Sequence, residues 1–188
     1  MKKKNLHMIV EIPKGNANKY EYNIGTKNWE LDRVLAGAMF YPEEYGFIPE
    51  TLDYDGDPLD VICLTNYSTF PGCYLPIRIV GVLKMIDGGE KDDKILAVNA
   101  VDPRFQNIND LKNISGGKLD EITNFFLRYK ELEKKEVVIE GWGNKKEARE
   151  ILEKCQNLFK VPKYRELAEQ GIDKKKKLVE LLKNEEEK

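Results

Sequence analysis

From Asp55 to Asp60 the chain carries three aspartates in six residues, Asp55-Gly56-Asp57-Pro58-Leu59-Asp60. Asp-Gly and Asp-Pro are turn signals, so the stretch predicts a bend and not a regular strand. A bend this tight holds its carboxylates close together. At ~4 Å and an effective dielectric near 20, two such charges repel by about 4 kcal/mol, and a cation or a proton has to offset them. Carboxylate oxygens with no neighbouring His or Cys favour a hard ion: Mg²⁺, Mn²⁺ or Ca²⁺. A solvated hairpin turn is the alternative these residues alone leave open. An EF-hand is excluded: a loop begun at Asp53 puts Pro58 where Gly is required and Leu64 where a bidentate Glu is required.

The rest of the chain narrows the function classes. Its 188 residues suit one domain with a tail, and 41% hydrophobic content is enough for a core. A net charge of −2 argues against a nucleic-acid binder held by bulk electrostatics. The one histidine, His7, precedes Met8-Ile9-Val10 at a strand start and reads as structural. A His-rich zinc site is therefore impossible, and a Ser-His-Asp triad would have to recruit His7. Cys63, Cys73 and Cys155 are widely spaced with no Cys-x-x-Cys, which fits a reducing cytoplasm better than a disulfide framework. The N-terminal Met-Lys-Lys-Lys lacks the apolar run of a signal peptide, and no stretch is long enough to span a membrane. No G-x-G-x-x-G is present, and Gly116-Gly117-Lys118 is followed by Leu119, where a Walker A loop needs Ser or Thr.

Periodicity gives a coarse map. Leu6 to Ile12 reads as a strand ended by Pro13-Lys14-Gly15, with Glu11 breaking its apolar run. Lys19-Tyr20-Glu21-Tyr22 alternates at period two, so Lys19 and Glu21 share a face. Trp29 to Leu35, Val61 to Thr65, Leu75 to Ile86 (Gly81 a candidate bulge), Ile95 to Val101 and Val137 to Trp142 are further strands. Asp87 to Lys94 makes a second acidic turn at a hairpin tip, and the two acidic turns are candidates for one site. Leu119 to Glu133 is amphipathic, and Asn144 with Glu147 marks a capped helix start. Strands followed by helices predict α+β with an antiparallel, barrel-like sheet. The expected division is a domain over 1–162 and a charged helical extension over 163–188, with a basic run at Lys174 to Lys177, apolar positions at Leu178, Val179, Leu181 and Leu182, and an acidic run at Glu185 to Glu187. The extension reads as a solvated tail.

Taken in order, these residues resemble the soluble family I inorganic pyrophosphatases of bacterial type. Asp55-Gly56-Asp57-Pro58-Leu59-Asp60-Val61 matches that family's signature, preceded by Val10-Glu11-Ile12-Pro13, Lys19-Tyr20-Glu21, Asp32-Arg33, Phe40-Tyr41-Pro42 and Tyr45-Gly46. Gly81-Val82-Leu83-Lys84-Met85, Asp87, Asp92, Lys94, Phe125-Phe126, Tyr129-Lys130 and Glu140-Gly141-Trp142 follow it, and the match spans roughly residues 6 to 160.

The resemblance implies an α+β fold: a small, highly twisted five-stranded OB-like β-barrel with flanking α-helices. It implies hydrolysis of pyrophosphate to two phosphates with several Mg²⁺ ions per site, Mn²⁺ being an alternative. Carried over by position, Asp55, Asp60 and Asp92 are the central metal ligands, with Asp87 and, through water, Glu11 completing the array. Asp57 is the general base. Lys19, Arg33, Tyr45, Tyr129 and Lys130 contact phosphate, while Glu21, Tyr41 and Lys94 support the site. A homo-oligomer, a hexamer as in bacterial relatives, is expected in the cytoplasm, with neither nucleic acid nor membrane as a partner. Gly88 departs from the pattern, since many members carry an acid there; this puts the outer metal ions in question, with Glu90 a partial replacement. The rival readings are an OB-type nucleic-acid-binding module, whose stacking aromatics would here lie among phosphate-repelling aspartates, and a non-catalytic calcium-binding module.

Overall fold

Two apolar runs, Val61–Leu64 and Ile95–Val98, are buried on both faces, and the fold is organised around the parallel pair they form. They lie in β5 (Asp60–Leu64) and β8 (Lys94–Asn99), in the register Val61↔Ile95 to Leu64↔Val98. Continuous hydrophobicity, in place of alternation, is what a strand covered on both sides requires. The computed structural model describes residues 6–23, 26–168 and 177–182.

Around this pair stand β1 (Leu6–Ile12), β4 (Glu44–Phe47) and β6 (Tyr74–Asp87). Successive pairings β1–β4, β4–β5, β5–β8, β8–β6 and β6–β1 bring the sheet back to its starting strand. Four of the five are antiparallel, and β5–β8 is parallel. The antiparallel, barrel-like sheet expected from the sequence is thereby corrected at one pair, for a geometric reason. An odd number of strands cannot alternate direction all the way round a closed circuit, so at least one neighbouring pair must run the same way. Two further strands extend the sheet beyond five: β7 (Glu90–Lys91) and β9 (Val137–Asn144), both on β6. A separate ribbon pairs β2 (Asn18–Asn23) with β3 (Asn28–Val34). The expected bulge at Gly81 is present, as a register shift between Ile79 and Gly81.

Each face of β5 and β8 has its own core. On one, Ile62, Leu64, Leu96 and Val98 meet α1 (Gly116–Arg128) through Ile122, Phe125 and Phe126. On the other, Val61, Cys63, Ile95 and Ala97 meet α2 (Lys145–Phe159) through Ala148 and Cys155. The start of α2 is capped as predicted: the Asn144 side chain accepts from the amides of Lys146 and Glu147, and Glu147 accepts from the Asn144 amide at 2.7 Å. The helix expected through Glu133 stops at Arg128, and Leu132 is exposed. Tyr129 and Lys130 leave the helix there and turn to Asp87.

After α3 (Pro162–Ala168), residues 177–182 are helical. Leu178 and Leu182 are fully buried with Leu52, against Tyr54, Leu158, Phe159 and Tyr164. This part of the extension is therefore not a solvated tail. Burial of a leucine contributes about 1.5–3 kcal/mol before ordering costs, and the i, i+4 spacing puts both leucines on one face. Lys174 to Lys176 and the acidic run at Glu185 to Glu187 lie outside the described residues.

Candidate active site

The acidic loop folds as its turn residues require. The Asp53 amide donates to the Asp57 carbonyl at 2.7 Å, and the Gly56 amide to the Asp53 carbonyl at 3.0 Å. Gly56 has φ +85°, a conformation that costs side-chain-bearing residues about 1–2 kcal/mol. The Asp55 carboxylate accepts from the Asp57 amide at 2.9 Å, an Asx turn. Asp53 is buried beneath the loop, where its carboxylate accepts from the Tyr54 amide at 2.8 Å and lies 3.7 Å from Cys155 Sγ. Burial pushes Asp53 up to about 6. Sequence reasoning assigns this residue no site role, although its place two residues before Asp55 is a usable signal.

Parallel pairing does the assembling. Since Val61 sits beside Ile95, the residues one step earlier, Asp60 and Lys94, are neighbours. Lys94 Nζ donates to Asp60 at 2.6 Å and also to Asp92. Burial alone would lower the Lys94 pKa, but Asp60 and Asp92 outweigh it and hold the ammonium above its usual value. Tyr45, on β4 opposite Ile62, donates its hydroxyl to Asp60, and Tyr41 packs against Tyr45 and Phe125. The second acidic turn joins at the same end. Asp87 accepts from Tyr129 Oη at 2.8 Å and from Lys130 Nζ. Burial would raise Asp87, but these two bonds prevail and keep it below the usual carboxylate range.

Glu11 is placed by a bulge: β1 shifts register against β4 between Val10 and Ile12, which frees the intervening residue from the ladder. Burial first, and Asp60 next, push Glu11 up to about 8. On the ribbon, Lys19 lies opposite Arg33. Lys19 bonds Glu21 and lies 3.6 Å from Asp32. Arg33 lies 3.3 Å from Asp32 and 3.4 Å from Glu133. Asp32 and Glu133 were not among the predicted site residues; nothing in local spacing links position 133 to a ribbon a hundred residues earlier. His7 stacks on Tyr74 with centroids 4.3 Å apart, in keeping with a structural role.

All fourteen residues predicted for the site thus converge on one end of the β5–β8 pair and the adjoining ribbon, as their bonds and mutual fields record. The Asp55 carboxyl is driven well above its usual range by burial and then by Asp57, with Asp60 and Asp92 adding to it. Burial, with Asp60 and Asp87 adding to it, raises Asp92 against the pull of Lys94. Among the described residues, no three Asp, Glu, His or Cys side chains stand ready to hold an ion: Asp60 and Asp92 face Lys94, and Asp87 faces Lys130. The donor chemistry nevertheless fits a hard divalent cation. The donors are oxygen only, and their mutual repulsion marks a site short of positive charge.

Gly88 and Gly89 both have positive φ, +58° and +86°, between the paired residues Asp87 and Glu90. A two-residue hairpin loop with left-handed central residues needs this, and glycine supplies it without strain. The departure from an acid at position 88 is therefore also a turn requirement.

The comparisons with known proteins place the chain beside one family. The inorganic pyrophosphatase family model matches residues 8–160. An inorganic pyrophosphatase from Halalkalibacterium halodurans is 44% identical over 155 residues, 82% of this chain and 95% of that protein. One from Leifsonia xyli is 50% identical over 147 residues, 78% of this chain and 90% of that protein. The crystal structure of the Thermus thermophilus inorganic pyrophosphatase superposes with a TM-score of 0.80 at 43% identity, covering 82% of this chain and 90% of that one.

Proposed function

The chain belongs to the inorganic pyrophosphatase family, and from that premise we propose that it hydrolyses pyrophosphate to two phosphates with Mg²⁺ at the end of the β5–β8 pair. The observation that carries this is the convergence of Asp60 and Asp92 on buried Lys94, with Asp55 forced up by burial and then by its acidic neighbours. The comparisons support pyrophosphate hydrolysis and give the nucleic-acid-binding alternative no support.

Asp55, Asp60 and Asp92 hold the central Mg²⁺ ions, and Asp87 and Glu11 the outer ones. Mg²⁺ supplies positive charge against the phosphate oxygens and makes water easier to deprotonate. Asp57, at the solvent side of the loop, takes the proton from the attacking water. Lys19, Arg33 and Lys130 exchange their carboxylate partners for phosphate oxygens, and the hydroxyls of Tyr45 and Tyr129 donate to the anion. Glu21, Tyr41 and Lys94 keep these groups in place.

The active form is a homo-oligomer, a hexamer by the sequence resemblance. Large exposed side chains at Tyr67, Phe70 and Tyr74 support an interface. A cytoplasmic location is consistent with Cys63, Cys73 and Cys155 all being free. No helix among the described residues is long and apolar enough to cross a membrane. Colorimetric phosphate release from pyrophosphate, with Mg²⁺ and with chelator, tests the activity. Mg²⁺-dependent release is expected. Metal binding without release would favour the calcium-binding module.

A further inference from the structure

The family match ends at residue 160, yet Leu178 and Leu182 complete a third apolar cluster with Leu52 and Tyr54, the residues leading into the acidic loop. Leu52 is 1% exposed, and its amide donates to the Cys155 carbonyl at 3.0 Å. Asp53, next along, meets Cys155 Sγ, and its amide donates to the Asp57 carbonyl. The base of the loop is thus held by α2 on one side and by the 177–182 helix against Leu52 and Tyr54. Asp55 and Asp57 stand on this base, with the Asp55 carboxylate accepting from the Asp57 amide.

From this we infer that Leu178 and Leu182 are positioning residues for the metal loop: the extension clamps the base of Leu52–Asp57 and thereby raises the affinity of the site for Mg²⁺. This rests on the assignment of Asp55 as a metal ligand. The clamp keeps the carboxylates near their ion-binding arrangement before the ion arrives, so less of the binding free energy goes into ordering the loop. The leucines touch neither substrate nor ion, and at saturating Mg²⁺ their contribution vanishes.

The test uses the full chain with Leu182→Ala, Leu178→Ala/Leu182→Ala, and Leu178→Met/Leu182→Met as the volume-conserving control. Two readouts are taken: hydrogen–deuterium exchange of the 52–57 amides in metal-free protein, and Mg²⁺ binding by calorimetry beside the Mg²⁺ dependence of phosphate release. We expect faster exchange at 52–57 in the alanine variants. Their Mg²⁺ requirement should rise about threefold to tenfold, below the 10–100-fold typical of groups bonded directly to ligands. Their kcat at saturating Mg²⁺ should stay near that of the parent, and the methionine variant should restore both readouts. Unchanged exchange and Mg²⁺ affinity would overturn the proposal, as would a kcat loss that Mg²⁺ does not recover. A parent chain that binds Mg²⁺ but releases no phosphate would instead overturn the function assigned above, leaving the exchange comparison valid.

Discussion

Lys94, only 1% exposed on its side chain, donates to Asp60 at 2.6 Å across the parallel pair β5–β8. It bonds Asp92 as well, so one ammonium holds two of the carboxylates assigned to the central metal ions.

Lys94→Met should therefore destabilise the metal-free protein. Deleting one partner of a buried ion pair costs about 3–5 kcal/mol. Asp60 and Asp92 keep 22% and 19% of their side-chain surface exposed, so we expect the lower end of that range. Mg²⁺ supplies the missing charge and should recover part of the loss. Melting curves in chelator and in Mg²⁺ measure both effects; equal losses in the two conditions would contradict this account.

Asp57 and Asp60 should separate in their Mg²⁺ dependence. Asp60→Asn removes an anionic ligand, so raising Mg²⁺ should restore part of the rate. Asp57→Asn should leave metal affinity nearly unchanged and lower kcat at saturating Mg²⁺ by roughly 100- to 10,000-fold. Its alkaline shift in optimum should also be the larger of the two. Mg²⁺ titrations of phosphate release at several pH values decide the matter, and metal rescue of Asp57→Asn but not of Asp60→Asn would reverse the roles.

The metal-free protein should lose stability as pH rises. In the fold Glu11 holds its proton up to about 8, whereas its ordinary value is 4.5. Between those values the folded chain binds more protons than the unfolded one, so stability falls with rising pH, most steeply at about 1.4 kcal/mol per pH unit for one proton. Asp53, raised to about 6, adds to this in the lower part of the window. Melting in chelator from pH 5 to about pH 8 should show the decline. Mg²⁺ should flatten it, with proton release on binding measurable by calorimetry in two buffers. A metal-free melting temperature that rises over this range would refute the assignment.

Position 88 offers a test of the outer metal ions. Glu there must adopt φ +58°, at a cost of about 1–2 kcal/mol; Asp tolerates that conformation better. Gly88→Asp should lower the Mg²⁺ concentration for half-maximal activity, and Gly88→Glu should show the same shift with a lower melting temperature. No shift in either variant would mean that Glu90 already supplies the charge or that the position is silent.

Assembly is checked by light scattering. A hexamer is expected at micromolar concentration, and a stable monomer would overturn that expectation.

The acidic loop of the candidate site was legible before any fold was known, because its chemistry is local. Three aspartates around Gly56 and Pro58 must bend and must meet a cation or protons, and Asn144 with Glu147 must cap a helix. Strand positions were legible too, since β1 (Leu6–Ile12) needs only apolar residues at the right period. The tertiary structure alone decided which distant residues meet. Period-two patterning says nothing of strand direction, so the parallel register that sets Lys94 against Asp60 was invisible in sequence. So was the meeting of Arg33 with Glu133, a contact between a ribbon and a turn that no local rule connects. The extension shows the same limit. Leu178 and Leu182 announced an apolar face, but hydrophobic burial has no preferred direction, and only the packed chain shows that Leu52, at the base of the acidic loop, is what covers them.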